Sequence, residues 1–83
     1  MNVNIRYFAS IREAVGRGTE ARQTSATTLA ALRDELMAAS PAHAAALARG
    51  KAVRMAVNQL MSDESALLAE GCEVAFFPPV TGG

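Results

Sequence analysis

Cys72-Glu73-Val74-Ala75-Phe76-Phe77-Pro78-Pro79 reads as a strand with a hard stop. Val74 and Phe76 fall on one face by the period of two that extended backbone imposes. Pro78-Pro79 ends the element, because proline has no N–H to give to a sheet ladder. Working outward, the other strongly alternating stretch lies at the far end of the sequence. Val3, Ile5 and Tyr7 alternate with Asn4, Arg6 and Phe8. These two segments are the most apolar strands of the chain. Both are therefore expected in the centre of one sheet, side by side and parallel.

The stretch between them supplies the remaining elements. Ala9 to Val15 suits a short helical turn closed by Gly16 and Gly18, and Thr19 to Thr24 suits a second strand paired with the first. Thr28 can cap a helix whose stripe is Leu29, Leu32 and Leu36, with Met37 beside it and Arg33, Asp34 and Glu35 off its centre. Ser40-Pro41 ends that helix and starts a short one, expected to stop at Gly50. Val53, Met55 and Val57 alternate as a strand, Asn58-Gln59 is a tight turn, and Leu60-Met61 begins a return strand. Residues 62–71 read as an irregular connection. The order ββα followed by two or three strands predicts an α+β fold: a mixed sheet with one main helix packed across it and a second short helix. This is the β-grasp arrangement of ubiquitin, expected as a single domain over residues 1–83 with a flexible tail at 78–83.

Composition narrows the function. The sequence has 83 residues, 51% of them hydrophobic, which suits a folded domain with a modest core. Eight basic side chains balance eight acidic ones, so bulk charge points to neither nucleic acid nor membrane. No signal peptide or apolar span is visible, and one cysteine excludes an internal disulfide. A cytoplasmic protein is expected.

The last residues, Val80-Thr81-Gly82-Gly83, do not look like folding material. Glycine adds nothing to a core and costs the most backbone entropy to order. It does give a chain thin enough to thread a slot, with a bare carboxylate at its end. The diglycine reads either as a reactive terminus or as a frayed end.

Residues 71–83, and above all Phe-Phe-Pro-Pro-Val followed by Gly-Gly, resemble the C-terminus of the MoaD family of sulfur carriers, the small subunits of molybdopterin synthase. Asn2 to Phe8, Arg12-Glu13, Thr28 to Arg33 and Ala56-Val57-Asn58-Gln59 resemble the family too. Cys72 departs from it, standing where the family usually has aspartate. The resemblance implies that Gly83 carries sulfur as a thiocarboxylate. A ubiquitin-activating-type adenylyltransferase would use ATP to form a glycyl adenylate, and a sulfur donor would convert it to 1-thioglycine. Pro78, Pro79, Val80, Thr81 and Gly82 would thread into the large synthase subunit. There the sulfur would pass to cyclic pyranopterin monophosphate and build the molybdopterin dithiolene, with a heterotetramer as the assembly. Residues 78–83 contain no side chain that titrates near neutrality, so acid–base groups are expected in the large subunit. No cofactor is expected to be bound.

Phe8 and Phe77 have the parity opposite to their strands' apolar sets. In regular strands both rings lie on the sheet face away from the helix, as a docking patch that Met61 extends and that Arg6, Arg12 and Arg54 rim. The alternative is that strand ends twist the rings inward. Met37, Met55 and Met61 are expected in or near the core, Cys72 as a small packing residue, and His43 as a surface or boundary residue with no metal partners. Other functions that fit are a carrier for thiamine or cysteine synthesis, a ubiquitin-like protein modifier, or a plain interaction domain.

Overall fold

The computed structural model describes residues 1–79. Expectations for Val80, Thr81, Gly82 and Gly83 lie outside the described residues. The elements are β1 (Asn2–Tyr7), α1 (Ala9–Val15), β2 (Thr19–Gln23), α2 (Leu29–Ala39), α3 (Pro41–Leu47), β3 (Arg54–Val57), β4 (Leu60–Ser62) and β5 (Glu73–Phe77). They form one five-stranded sheet in the order β2-β1-β5-β3-β4. β1 and β5 are parallel neighbours, with Ile5 beside Val74 and Tyr7 beside Phe76. The β-grasp architecture and its central parallel pair are those expected.

Local chemistry sets the boundaries. Thr28 Oγ1 accepts from the Ala31 N–H at 3.2 Å and so starts α2. Ser40 ends α2 and caps α3, accepting from the His43 N–H at 3.1 Å, with Pro41 at the first helical position. Gly16 closes α1 at φ 92, a left-handed conformation that suits glycine. Asn58 and Gln59 have φ 50 and φ 68, the paired positive values of a tight type I′ hairpin turn.

Two expectations are corrected together. α3 stops at Leu47, short of Gly50, and Arg33 is buried rather than set off the stripe. The same contact explains both. Arg33 Nε donates to the Leu47 carbonyl at 2.7 Å, and its terminal nitrogen donates to the Ala48 carbonyl at 3.2 Å. A helix end leaves its last carbonyls without partners, and the guanidinium fork supplies them. Arg33 thus ties α2 to the end of α3 from inside.

The core lies between the helices and one face of the sheet. Val3, Ile5, Tyr7, Val74 and Phe76 point into it from the strands; Leu29, Leu32, Leu36 and Leu47 meet them from the helices. Met55 is buried and Met37 packs at the margin, as expected. Met61 does not: it is 59% exposed, because its partner Ala56 puts it on the other sheet face. Cys72 is buried against the core.

Candidate functional site

The sheet face away from the helices is uncovered among the described residues. Register decides what it shows. Ala56 pairs with Ala75 and with Met61, so these three share the outer face. Phe8 and Phe77 follow their strands onto the same side. Their rings meet edge-to-face with centroids 6.4 Å apart. Together they frame a groove of about 710 Å³. Ala56 and Ala75 lie under it, Phe8, Met61 and Phe77 wall it, and Pro78 and Pro79 close the end where the chain leaves the sheet. Phe8 is 39% exposed and Phe77 half-buried, so neither ring tucks into the core. Edge-to-face packing holds both rings in place before any partner arrives.

The polar rim is less uniform than expected. The Arg6 guanidinium lies 5.2 Å from the Phe8 ring centre, a cation–π distance, and lines the groove with Glu73. Arg54 sits opposite Phe77 across the β3–β5 pair. Arg12 belongs to a neighbouring hollow with Ala9, Glu13, Gly16, Arg17 and Gly18. A Cβ on Gly18 would come within 3.1 Å of Arg12 Nε, so the bare glycine gives that side chain its room.

On the covered side, one polar cluster went unread in the sequence. Glu20 accepts from the Tyr7 hydroxyl at 3.0 Å and from Arg22 at 3.1 Å, and lies 3.1 Å from His43 Nε2. Arg22 also donates to Glu35 at 2.5 Å. Burial works to raise the Glu20 carboxyl, but hydrogen bonds from His43, Tyr7 and Arg22 outweigh it and hold it below the usual carboxylate range. Burial, with the Glu20 charge beside it, pushes the Tyr7 phenol far up, so it stays a donor. His43 is therefore half-buried, the boundary position expected of it, with its ring edge-on to Tyr7 at 5.9 Å. The cluster pins α3 to the antiparallel β1–β2 pair. Among the described residues no group of three His, Cys, Asp or Glu side chains is placed to hold a metal. No helix there is long and apolar enough to cross a membrane.

Fold and site together define a ubiquitin-like β-grasp protein with an apolar groove at the root of its C-terminal segment. The chain belongs to the ThiS family, whose profile matches residues 5–83. It is 45% identical over 83 residues to the molybdopterin synthase sulfur carrier subunit of Escherichia coli (strain K12), covering 98% of this chain and 99% of that one. The subunit of the same name in Haemophilus influenzae is 36% identical over 81 residues, again covering 98% and 99%. Among solved structures, SAMP1 from Haloferax volcanii matches with TM-score 0.81 at 25% identity over all of both chains. A complex of subunits 1 and 2 of the molybdopterin-converting factor from Helicobacter pylori contains a chain matching with TM-score 0.72 at 25% identity, also end to end.

Proposed function

We propose that this chain is the sulfur-carrier subunit of a molybdopterin synthase, with Gly83 as the carrying residue. The observation that carries the reading is the 45% identity to a subunit of that name across nearly the whole of both chains. The groove adds physical support, since it places an apolar surface where Pro78 and Pro79 leave the sheet.

A free carboxylate is a poor electrophile, because its charge repels nucleophiles and oxide is a poor leaving group. In the proposed cycle, an adenylyltransferase partner joins the Gly83 carboxylate to the AMP portion of ATP and releases pyrophosphate. A sulfur donor then displaces AMP and leaves 1-thioglycine. The large subunit receives residues 78–83, and the thiocarboxylate sulfur attacks a carbon of cyclic pyranopterin monophosphate and displaces an oxygen leaving group. Water then cleaves the resulting thioester, leaving the sulfur on the pterin and returning the Gly83 carboxylate. Two transfers complete one dithiolene. Phe8, Met61 and Phe77 dock both partners in turn, the working assembly is a heterotetramer, and the compartment is the cytoplasm. The chain itself binds no cofactor.

The test is pterin dithiolene formation in a reconstituted system of carrier, adenylyltransferase, sulfur donor and large subunit. Appending one residue after Gly83 moves the carboxylate by about 3.3–3.6 Å along an extended chain. Placement errors of about 1 Å can cost roughly a hundredfold in rate. The extended variant and Gly82→Ala are both expected to lose activity while their melting temperatures hold. Full activity in the extended variant would refute the reading. High-mass adducts of the chain in cell extract, without dithiolene formation, would favour a protein modifier.

A further inference from the structure

The balanced net charge hides a strong asymmetry. Of the eight basic side chains, Arg22, Arg33 and Arg49 pair with Glu20, Glu35, Asp34 and Glu64. The other five, Arg6, Arg12, Arg17, Lys51 and Arg54, are exposed and form no salt bridge among the described residues. All five gather at one end of the sheet. Arg6 and Arg54 flank the ends of β1 and β5, next to Phe8 and Phe77. Lys51 shares a hollow with Pro78 and Pro79 on the helix side. Arg12 and Arg17 line the hollow beyond Ala9. Glu13 is the one carboxylate lining the Arg12–Arg17 hollow, and Glu73 lines the groove with Arg6. Of the remaining free acids, Glu70 and Glu73 sit at the opposite end of β1, beside Asn2 and Asn4. Asp63 lies beyond the edge strand and is engaged by Ser65.

We infer that these cations form a collar around the point where the tail leaves the domain, and that it steers the domain onto an acidic protein surface. The occupant is the partner that receives the tail, with carboxylates ringing its cleft. This rests on the carrier reading above, and deepens it. The argument is one of continuity and charge. The collar borders the end of the apolar groove where Pro78 and Pro79 leave the sheet, so a partner that seats on Phe8 and Phe77 and takes the tail must bring its own rim against these cations. Rim charges of this kind act at long range on encounter more than on the life of the complex. They can raise association rates by about 10–10³-fold, an effect that salt removes. Outside the collar and its Glu13, three basic side chains face seven acidic ones, so the molecule is polarised and the field has a direction. That direction brings the tail in first.

The test measures association and dissociation rates of the full chain with the full-length large subunit by stopped flow. Raising salt from about 0.05 to about 0.5 M shortens the screening length severalfold. The wild-type association rate is expected to fall at least about tenfold over that range, with dissociation changing by less than about twofold. Arg17→Glu lies outside the groove and is expected to slow association severalfold at low salt. The double variant Gln23→Glu/Ser25→Glu has the same net charge but carries it at the far end of β1. It is expected to associate at close to the wild-type rate. Circular dichroism checks that each variant folds. Association that ignores salt, or equal slowing by both variants, overturns the collar and leaves the carrier reading standing. Failure of any complex to form overturns both.

Discussion

Phe76 and Phe77 are adjacent in sequence and have opposite fates. Phe76 is fully buried beneath the helices, stacked near Tyr7; Phe77 stands on the bare face against Phe8. The two faces of the sheet differ throughout in the same way. The covered face is packed by large side chains with almost no exposure. The bare face has alanines in its middle, with aromatic and thioether side chains raised around them. Small residues in the middle make a hollow, and large ones around it make walls. Such a surface adds little to the stability of the isolated domain and suits a partner's apolar side chains. The difference teaches that this sheet builds two hydrophobic surfaces from one period of two, and only one is closed by the chain itself.

Substitutions that treat the faces alike would break this contrast. The largest effect is expected on the covered side, where Phe76→Ala should cost about 3–5 kcal/mol of unfolding free energy. Urea denaturation measures it. Glu20→Ala comes next, at roughly 2 kcal/mol, because it strips a charged acceptor from Tyr7, His43 and Arg22 together. Its sign with pH is fixed. The folded Glu20 carboxyl lies below its ordinary value of 4.5, so its contribution is full above that pH and fades as pH falls through the lower folded value. Acid titration should therefore narrow the gap between wild type and Glu20→Ala.

Phe77→Glu sharpens the comparison from the other side. The melting temperature should move little, while binding to the large subunit weakens by about 2 kcal/mol or more, read by calorimetric titration. Unfolding of that variant would place Phe77 in the core and erase the distinction between faces. The smallest effect concerns the groove's far end. Gln59 pays for a left-handed backbone in the β3–β4 turn, and Gln59→Gly should raise stability by roughly 0.5 kcal/mol in thermal denaturation.

Much of this was legible in the sequence because it depends on local rules. Alternation in Val3 to Phe8 and Cys72 to Phe77 gave the central strands and the side on which each aromatic falls. Thr28, Ser40-Pro41 and Asn58-Gln59 marked their caps and turn by chemistry that acts within four residues. What escaped depends on contacts between distant segments. Arg33 looked solvated because its partners, the Leu47 and Ala48 carbonyls, lie fourteen and fifteen residues on. For the same reason Gly50 looked like the stop of α3. His43 was legible as a boundary residue, but its partner Glu20, twenty-three residues earlier, was not. Met61 reads both as near-core and as an extension of the aromatic patch; only the second holds, because its face is set by pairing with Ala56. The clustering of five unpaired cations needed the fold, since residues 6 to 54 bring them from separate elements.

The central claim is that Gly83, at the end of the segment rooted beside the groove, is the atom-carrying site. Intact-mass and fragment analysis of the chain after incubation with ATP, the adenylyltransferase and a sulfur donor tests it most directly. The account predicts one oxygen-to-sulfur exchange localised to Gly83, dependent on ATP. Sulfur found on Cys72 instead, or an unmodified Gly83 with every component active, would contradict it.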